Sequence, residues 1–149
     1  MAEFSLQALH DEIEADPASL GYKDGGAWKG DGVIADLINS LEGPGAANIT
    51  RKLIQPHEVF DSIPYVEYET YPAAKREYLD TMLELAGGNG VIDANDAVVY
   101  ANLLAVFPAG SDARSNIIAK IQRTGSRAEV LWSEGNVVTI SEVAHAANL

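Results

Sequence analysis

Apolar residues recur at helical spacing over most of the chain, and each stretch meets a clear stop signal. Phe4, Leu6, Leu9 and Ile13 share one face around Ser5, a residue suited to cap a helix N-terminus, and Asp16-Pro17 closes that segment. A Gly-rich loop over residues 20–32 follows and holds Tyr22 and Trp28. Val33, Ile34, Leu37, Ile38 and Leu41 predict a second amphipathic helix, ended by Gly43-Pro44-Gly45. Residues 48–55 are the one extended run of the first half, too short to found a sheet. Pro56, Pro64 and Pro72 each suit the first turn of a helix, where a missing N–H costs nothing. Only the third opens a long one, in which Ala74, Tyr78, Leu79, Met82, Leu83 and Ala86 form an apolar stripe up to Gly87-Gly88.

The second half continues in the same manner. Asp93 is the expected N-cap of a helix running through Val99, Leu103 and Phe107 to Pro108. Ser111 caps the next, which carries Ile117, Ile118 and Ile121 and is expected to end at Gly125. Ser126 with Glu129, and Thr139 with Glu142, match the capping box and predict two last helices over residues 126–133 and 141–148. The pattern predicts an all-α fold: a compact bundle of about six to eight short helices, with at most a minor two-stranded β element. Residues 1–149 are expected to form a single helical domain, which suits the length of the chain.

Composition adds exclusions. Hydrophobic residues make up 47% of the chain and charged residues 21%, which excludes a wholly disordered polypeptide. No apolar run is long enough for a membrane span, and the acids near the start do not fit a signal peptide. The absence of Cys removes disulfides, thiolate metal sites and cysteine nucleophiles. The net charge of −12 is unevenly spread: nine acids face two bases in residues 1–50, nine face four in 51–100, and four face four in 101–149. Such a chain repels phosphate backbones, so no nucleic-acid partner is expected. The acids serve solubility, or they meet a basic protein surface.

Candidate chemistry is sparse. His10, His57 and His145 stand in no metal-ligand pattern, and His57-Glu58 fails the H-E-x-x-H motif because Asp61 holds the fifth position. Residues 85–96 imitate the second half of a calcium loop, but Leu85 and Gly87 fall where the first ligands belong, leaving too few oxygens. Ser111 lacks the glycine pattern of a nucleophile elbow, and Gly87-Gly88-Asn89-Gly90 is not a phosphate loop. The acid pairs Glu12/Asp16 and Asp80/Glu84 are expected on solvent-side helix faces. No catalytic residue, cofactor or metal is assigned, and the chain is read as a non-enzyme. Tyr65, Tyr68 and Tyr71, interleaved with Glu67 and Glu69, together with Tyr22 and Trp28, form the candidate protein interface, because Tyr gives large contact area at low entropic cost. The alternative is that these rings close one end of the core. Trp132 is expected to anchor the last helices.

Five segments in order carry a resemblance: residues 16–22 (DPASLGY), 34–39 (IADLIN), 106–111 (VFPAGS), 125–132 (GSRAEVLW) and 137–139 (VVT). Together they resemble a family of small proteins encoded by tailed bacteriophages in or near their tail and other structural genes. The resemblance implies a phage setting and an all-α fold, and it offers no catalytic residues to carry over. Within that setting the absence of chemistry favours a structural or assembly component of the virion, in a tail, neck, head–tail connector or accessory position. Its partners would be other phage structural proteins, or further copies in a symmetric assembly, met in the virion after assembly in the host cytoplasm. The acidic surface supplies an alternative: a nonstructural phage protein acting on a host protein. No membrane partner is expected.

Overall fold

The computed structural model describes residues 3–87 and 91–149. The chain begins with α1 (Leu6–Ala15), β1 (Lys23–Asp24), β2 (Ala27–Trp28), α2 (Asp31–Asn39) and β3 (Ala47–Thr50). There follow α3 (Pro56–Asp61), α4 (Tyr65–Thr70), α5 (Ala73–Gly87), α6 (Ala97–Val106) and α7 (Asp112–Ile121). It closes with β4 (Gln122–Gly125), α8 (Arg127–Trp132) and α9 (Ile140–Ala146). The fold is mainly helical, with nine helices among the described residues. Its strands exceed the expected single minor element, because the described residues form two two-stranded sheets.

Side-chain caps set four helix starts where the sequence predicts them. Ser5 accepts from the Ala8 N–H and Ser111 from the Arg114 N–H, both at 3.1 Å. Ser126 with Glu129 and Thr139 with Glu142 form complete capping boxes. Four details differ. The N-cap of α6 is Asp96, which accepts from Val98 and Val99, whereas Asp93 takes the Asn95 N–H in a local turn. Helix α7 stops at Ile121 because residues 122–125 enter β4. Helix α2 stops at Asn39 and leaves Leu41 exposed beyond it. Within the Gly-rich loop, Gly25 and Gly26 take φ of 56° and 88°, the paired positive values a two-residue hairpin needs, and so β1 pairs antiparallel with β2. On the α5 stripe Leu79 is buried, while Tyr78 is exposed. Met82, Leu83 and Ala86, and the glycine-rich stretch 88–90 of the calcium-like loop, lie outside the residues whose side chains are described.

The chain divides into two compact units. The first combines Met1–Ile49 with Thr124–Leu149, and the second is Thr50–Arg123. The chain leaves the first through β3 and returns through β4, and these two strands pair with each other. Gly125 sits tight at the return: a Cβ there would lie 2.6 Å from Ile49 Cδ1, so the Ile49 side chain would have to shift.

In the first unit, Leu9 and Ile13 of α1, Ile34 and Ile38 of α2, Trp132 of α8 and Val143 of α9 form the core, all buried. Trp132 anchors this end as expected, with its ring edge-on to Phe4 at 5.0 Å. Glu12, expected on a solvent face, is instead buried, and its carboxylate accepts from Arg127 Nε and Nη2 at 2.7 and 3.0 Å. Asp16 also turns inward and accepts from the Leu20 and Gly21 N–H groups at 2.7 and 2.8 Å. Asn39 and Val138 exchange two further bonds, at 2.7 and 2.9 Å. The second unit has its own core of Val59, Leu79, Leu103, Phe107, Ile117 and Ile121. Ile54 and Ile92 form an antiparallel bridge beside it, with N···O distances of 2.9 and 2.7 Å.

Removing Arg127 alone strands a buried carboxylate. Arg127→Met is expected to cost about 3–5 kcal/mol, whereas the E12L/R127M double variant recovers most of that loss. Denaturant unfolding of Arg127→Met and of the double variant, each against the wild type, checks both statements.

Candidate functional site

The candidate interface residues separate into a group in each unit, and burial sorts them further. In the first unit Tyr22 is fully buried, which corrects its assignment to an interface. The reason is the inward turn of Asp16: by holding the N–H groups of Leu20 and Gly21 it folds the glycine loop back and drives the next side chain into the core. The Tyr22 hydroxyl meets no hydrogen-bond partner among the described residues. Burial, and then the charges of Glu12 and Asp16, push its pKa well above the ordinary tyrosine value, so it stays protonated.

Trp28 is half-buried on β2. Its indole N–H donates to Glu14 at 2.5 Å, and the other Glu14 oxygen accepts from Lys23 Nζ at 2.6 Å. The Lys23 bond first, and then the Trp28 bond, hold the Glu14 carboxyl below its ordinary pKa. His10 lies beside this group, with its ring 5.6 Å from the Trp28 ring. The outcome is a small ordered surface of one indole, one carboxylate and one ammonium, with the hydrogen-bonding edge of the indole already used.

In the second unit Tyr71 is also buried, a second correction, and its hydroxyl donates to Glu67 at 2.5 Å. Tyr68 is half-buried between Phe60, at 5.9 Å between ring centroids, and Tyr71, at 6.1 Å. Tyr65 is the exposed member at 73%, with its hydroxyl bonded to Glu69, beside Val66 at 76%, on a helix α4 that buries no residue. Among the sequence-predicted residues, therefore, Tyr65 and Tyr68 come together on one surface, and Trp28 belongs to the other unit.

Glu67 holds this surface in place, a role that the interleaved acids do not reveal. Its second oxygen accepts from the Ala113 N–H at 2.9 Å, so the carboxylate sits on the first turn of α7, where a negative charge is favoured. Burial pushes the Glu67 carboxyl up, but the bonds from Tyr71, Ala113 and Ser111 outweigh it and leave the pKa below the ordinary 4.5. Lys75 lies 3.6 Å from the centre of the Tyr71 ring, and Arg76 donates to the Tyr71 carbonyl at 2.9 Å. A shallow depression of about 580 Å³ opens beside these groups, lined by Glu67, Tyr71, Lys75 and Ser111 among others. On its wall Glu67, Thr70, Tyr71 and Ser111 are each hydrogen-bonded to a neighbour, and the Glu67 bond to Ala113 fixes α4 against α7. Phe60 and Glu67 were missed as parts of the site; the only sequence signal for Glu67 is its four-residue offset from Tyr71 on adjoining helical turns.

The histidines are dispersed: His57 and His145 are exposed and His10 packs beside Trp28. No group of three or more His, Cys, Asp or Glu with metal-binding geometry occurs among the described residues. No helix among them is long and apolar enough to cross a membrane.

The two buried tyrosines are expected to respond to hydroxyl removal with opposite signs. Tyr22→Phe deletes an unpartnered buried hydroxyl and is expected to leave stability unchanged or raise it by about 1–3 kcal/mol. Tyr71→Phe removes a bond to a charged acceptor and is expected to cost about 1.5–3 kcal/mol. Equilibrium unfolding of both variants reads the difference. Because the folded-state pKa of Glu67 lies below its unfolded value, its contribution is present above the ordinary value of 4.5 and is lost as pH falls through the folded value. Between about pH 5 and 3 the unfolding free energy of the wild type is expected to drop more steeply than that of Glu67→Gln.

Compared with protein-family models, curated proteins and solved structures, the chain matches none of them.

Proposed function

We propose that this chain is a non-enzymatic structural or assembly component of a tailed-bacteriophage particle, working through protein–protein contacts. The observation that carries the contact role is helix α4. It presents Tyr65 and Val66 almost fully to solvent while Glu67 on the same helix is locked onto α7. A rigid helix with an aromatic and a branched apolar residue exposed side by side is a preorganised contact surface, since the partner has little ordering left to impose. The phage setting is supported by the ordered sequence segments, from residues 16–22 to 137–139. The partners are other structural proteins of the particle, or further copies of this chain in a symmetric ring, at a tail, neck, connector or accessory position. Its location is then the virion, after assembly in the host cytoplasm.

A second reading has one observation in its favour. The net charge of −12 suits a nonstructural phage protein that binds a basic surface on a host protein.

Quantitative mass spectrometry of gradient-banded particles separates the two. The virion role predicts a fixed copy number relative to the major capsid protein, and Tyr65→Ser/Val66→Ser is expected to reduce incorporation without lowering the melting temperature. Absence from particles, with abundant chain in the infected-cell lysate, overturns that role and favours the host-directed one.

A further inference from the structure

Helices α3 and α5 enclose a groove of about 520 Å³ lined by Pro56, His57, Phe60, Asp80 and Glu84. Its apolar wall is Phe60, 40% exposed in spite of its ring contact with Tyr68. Its other wall carries two carboxylates of α5, four residues apart and so on the same helix face. Neither Asp80 nor Glu84 forms a hydrogen bond or ion pair with a described residue, and both are exposed. Like charges at this spacing oppose the helix, and Glu84 stands near its C-terminal end, where the helix dipole also disfavours a negative charge. Of the cations of α5, Lys75 lies over the Tyr71 ring and Arg76 donates to the Tyr71 carbonyl, and neither forms an ion pair with Asp80 or Glu84.

We infer that this groove takes a lysine or arginine side chain from a segment of a partner protein. The aliphatic stem lies along Phe60 and Pro56, and the charged head sits between Asp80 and Glu84, within reach of the Phe60 ring face. Charge decides the occupant. A second copy of a chain this acidic would bring further repulsion to the groove, whereas a basic segment removes two unfavourable terms already present in α5. The inference rests on the reading that the chain works through protein contacts, and it adds the chemistry of the partner.

The test uses the full chain and a short acetylated peptide of glycine and arginine, with the same peptide carrying citrulline as the uncharged control. Peptide titration is followed by NMR at the Phe60 ring and the Asp80 and Glu84 carboxyl carbons. The arginine peptide is expected to give saturable shifts at these three residues, the citrulline peptide none, and D80N/E84Q is expected to bind about tenfold more weakly. That variant is also expected to melt no lower than the wild type, since it removes a like-charge pair; Glu84→Gln alone serves if the double variant fails to fold. Shifts spread over all exposed carboxylates and undiminished in the variant would overturn the inference. So would displacement of the peptide by calcium or magnesium at equal concentration, which would make the groove a cation site. Peptide binding by a chain absent from particles would leave the groove assignment standing and remove the virion role, and incorporation without peptide binding would do the reverse.

Discussion

The first unit depends on one buried ion pair. Glu12 and Arg127 lie 115 residues apart in sequence, on helices that belong to the two separate chain segments from which the unit is built. Bringing such distant segments together carries a loop-closure cost that local helix formation does not offset. The two-pronged contact fixes position and angle together, because a guanidinium matches a carboxylate at two oxygens at once. The paired bonds between Asn39 and Val138 repeat the same closure between α2 and the approach to α9. The Tyr22 hydroxyl is buried near the ion pair and meets no hydrogen-bond partner among the described residues. That hydroxyl is a local cost accepted for the packing of its ring.

The second unit uses a carboxylate differently. Glu67 is neutralised mostly by dipoles: a phenol, a helix N-terminus and the Ser111 side chain, with Lys75 nearby. A short helix such as α4, burying nothing, has little stability of its own, since six residues close too few turns to offset nucleation. Its order is imported through Glu67. The same residue that makes α4 rigid therefore permits Tyr65 and Val66 to remain exposed without the helix fraying, and this connects the internal bonding to the contact role proposed above.

Local physics was legible in the sequence and distant pairing was not. Ser5, Ser111, Ser126 and Thr139 cap the helices they were expected to cap, because a cap requires only the two or three residues that follow it. Asp93 and Asp96 are equivalent by that criterion, and only the following backbone decides between them. The Gly25-Gly26 hairpin had a readable signal, two glycines between short runs, that the loop composition masked. Strand β4 had none: Gln-Arg-Thr-Gly shows no apolar alternation, and it is extended because β3 pairs with it. The inward turn of Glu12 was invisible for a similar reason, since an acid on an acid-rich helix looks solvent-facing until its distant arginine is known. The candidate interface failed at Tyr22 and Tyr71 because aromatic clustering does not state which ring faces water.

The net charge of −12 gains meaning once the carboxylates are divided by what they already do. Glu12, Glu14, Glu58 and Glu67 are held by an arginine, a lysine with an indole, a second arginine and a helix start. Those acids are structural, and a partner gains little by approaching them, because their charge is already compensated. Asp80 and Glu84 stand on one face of α5 with no hydrogen bond or ion pair to a described residue, while Lys75 lies over the Tyr71 ring and Arg76 donates to the Tyr71 carbonyl. Net charge sets only a long-range bias toward basic surfaces, and that bias is screened by salt. Specificity requires uncompensated charge beside exposed apolar surface, since only there does a partner gain contact area and relieve repulsion in the same step. In this chain, Phe60 supplies the apolar half of that pairing and α5 the charged half.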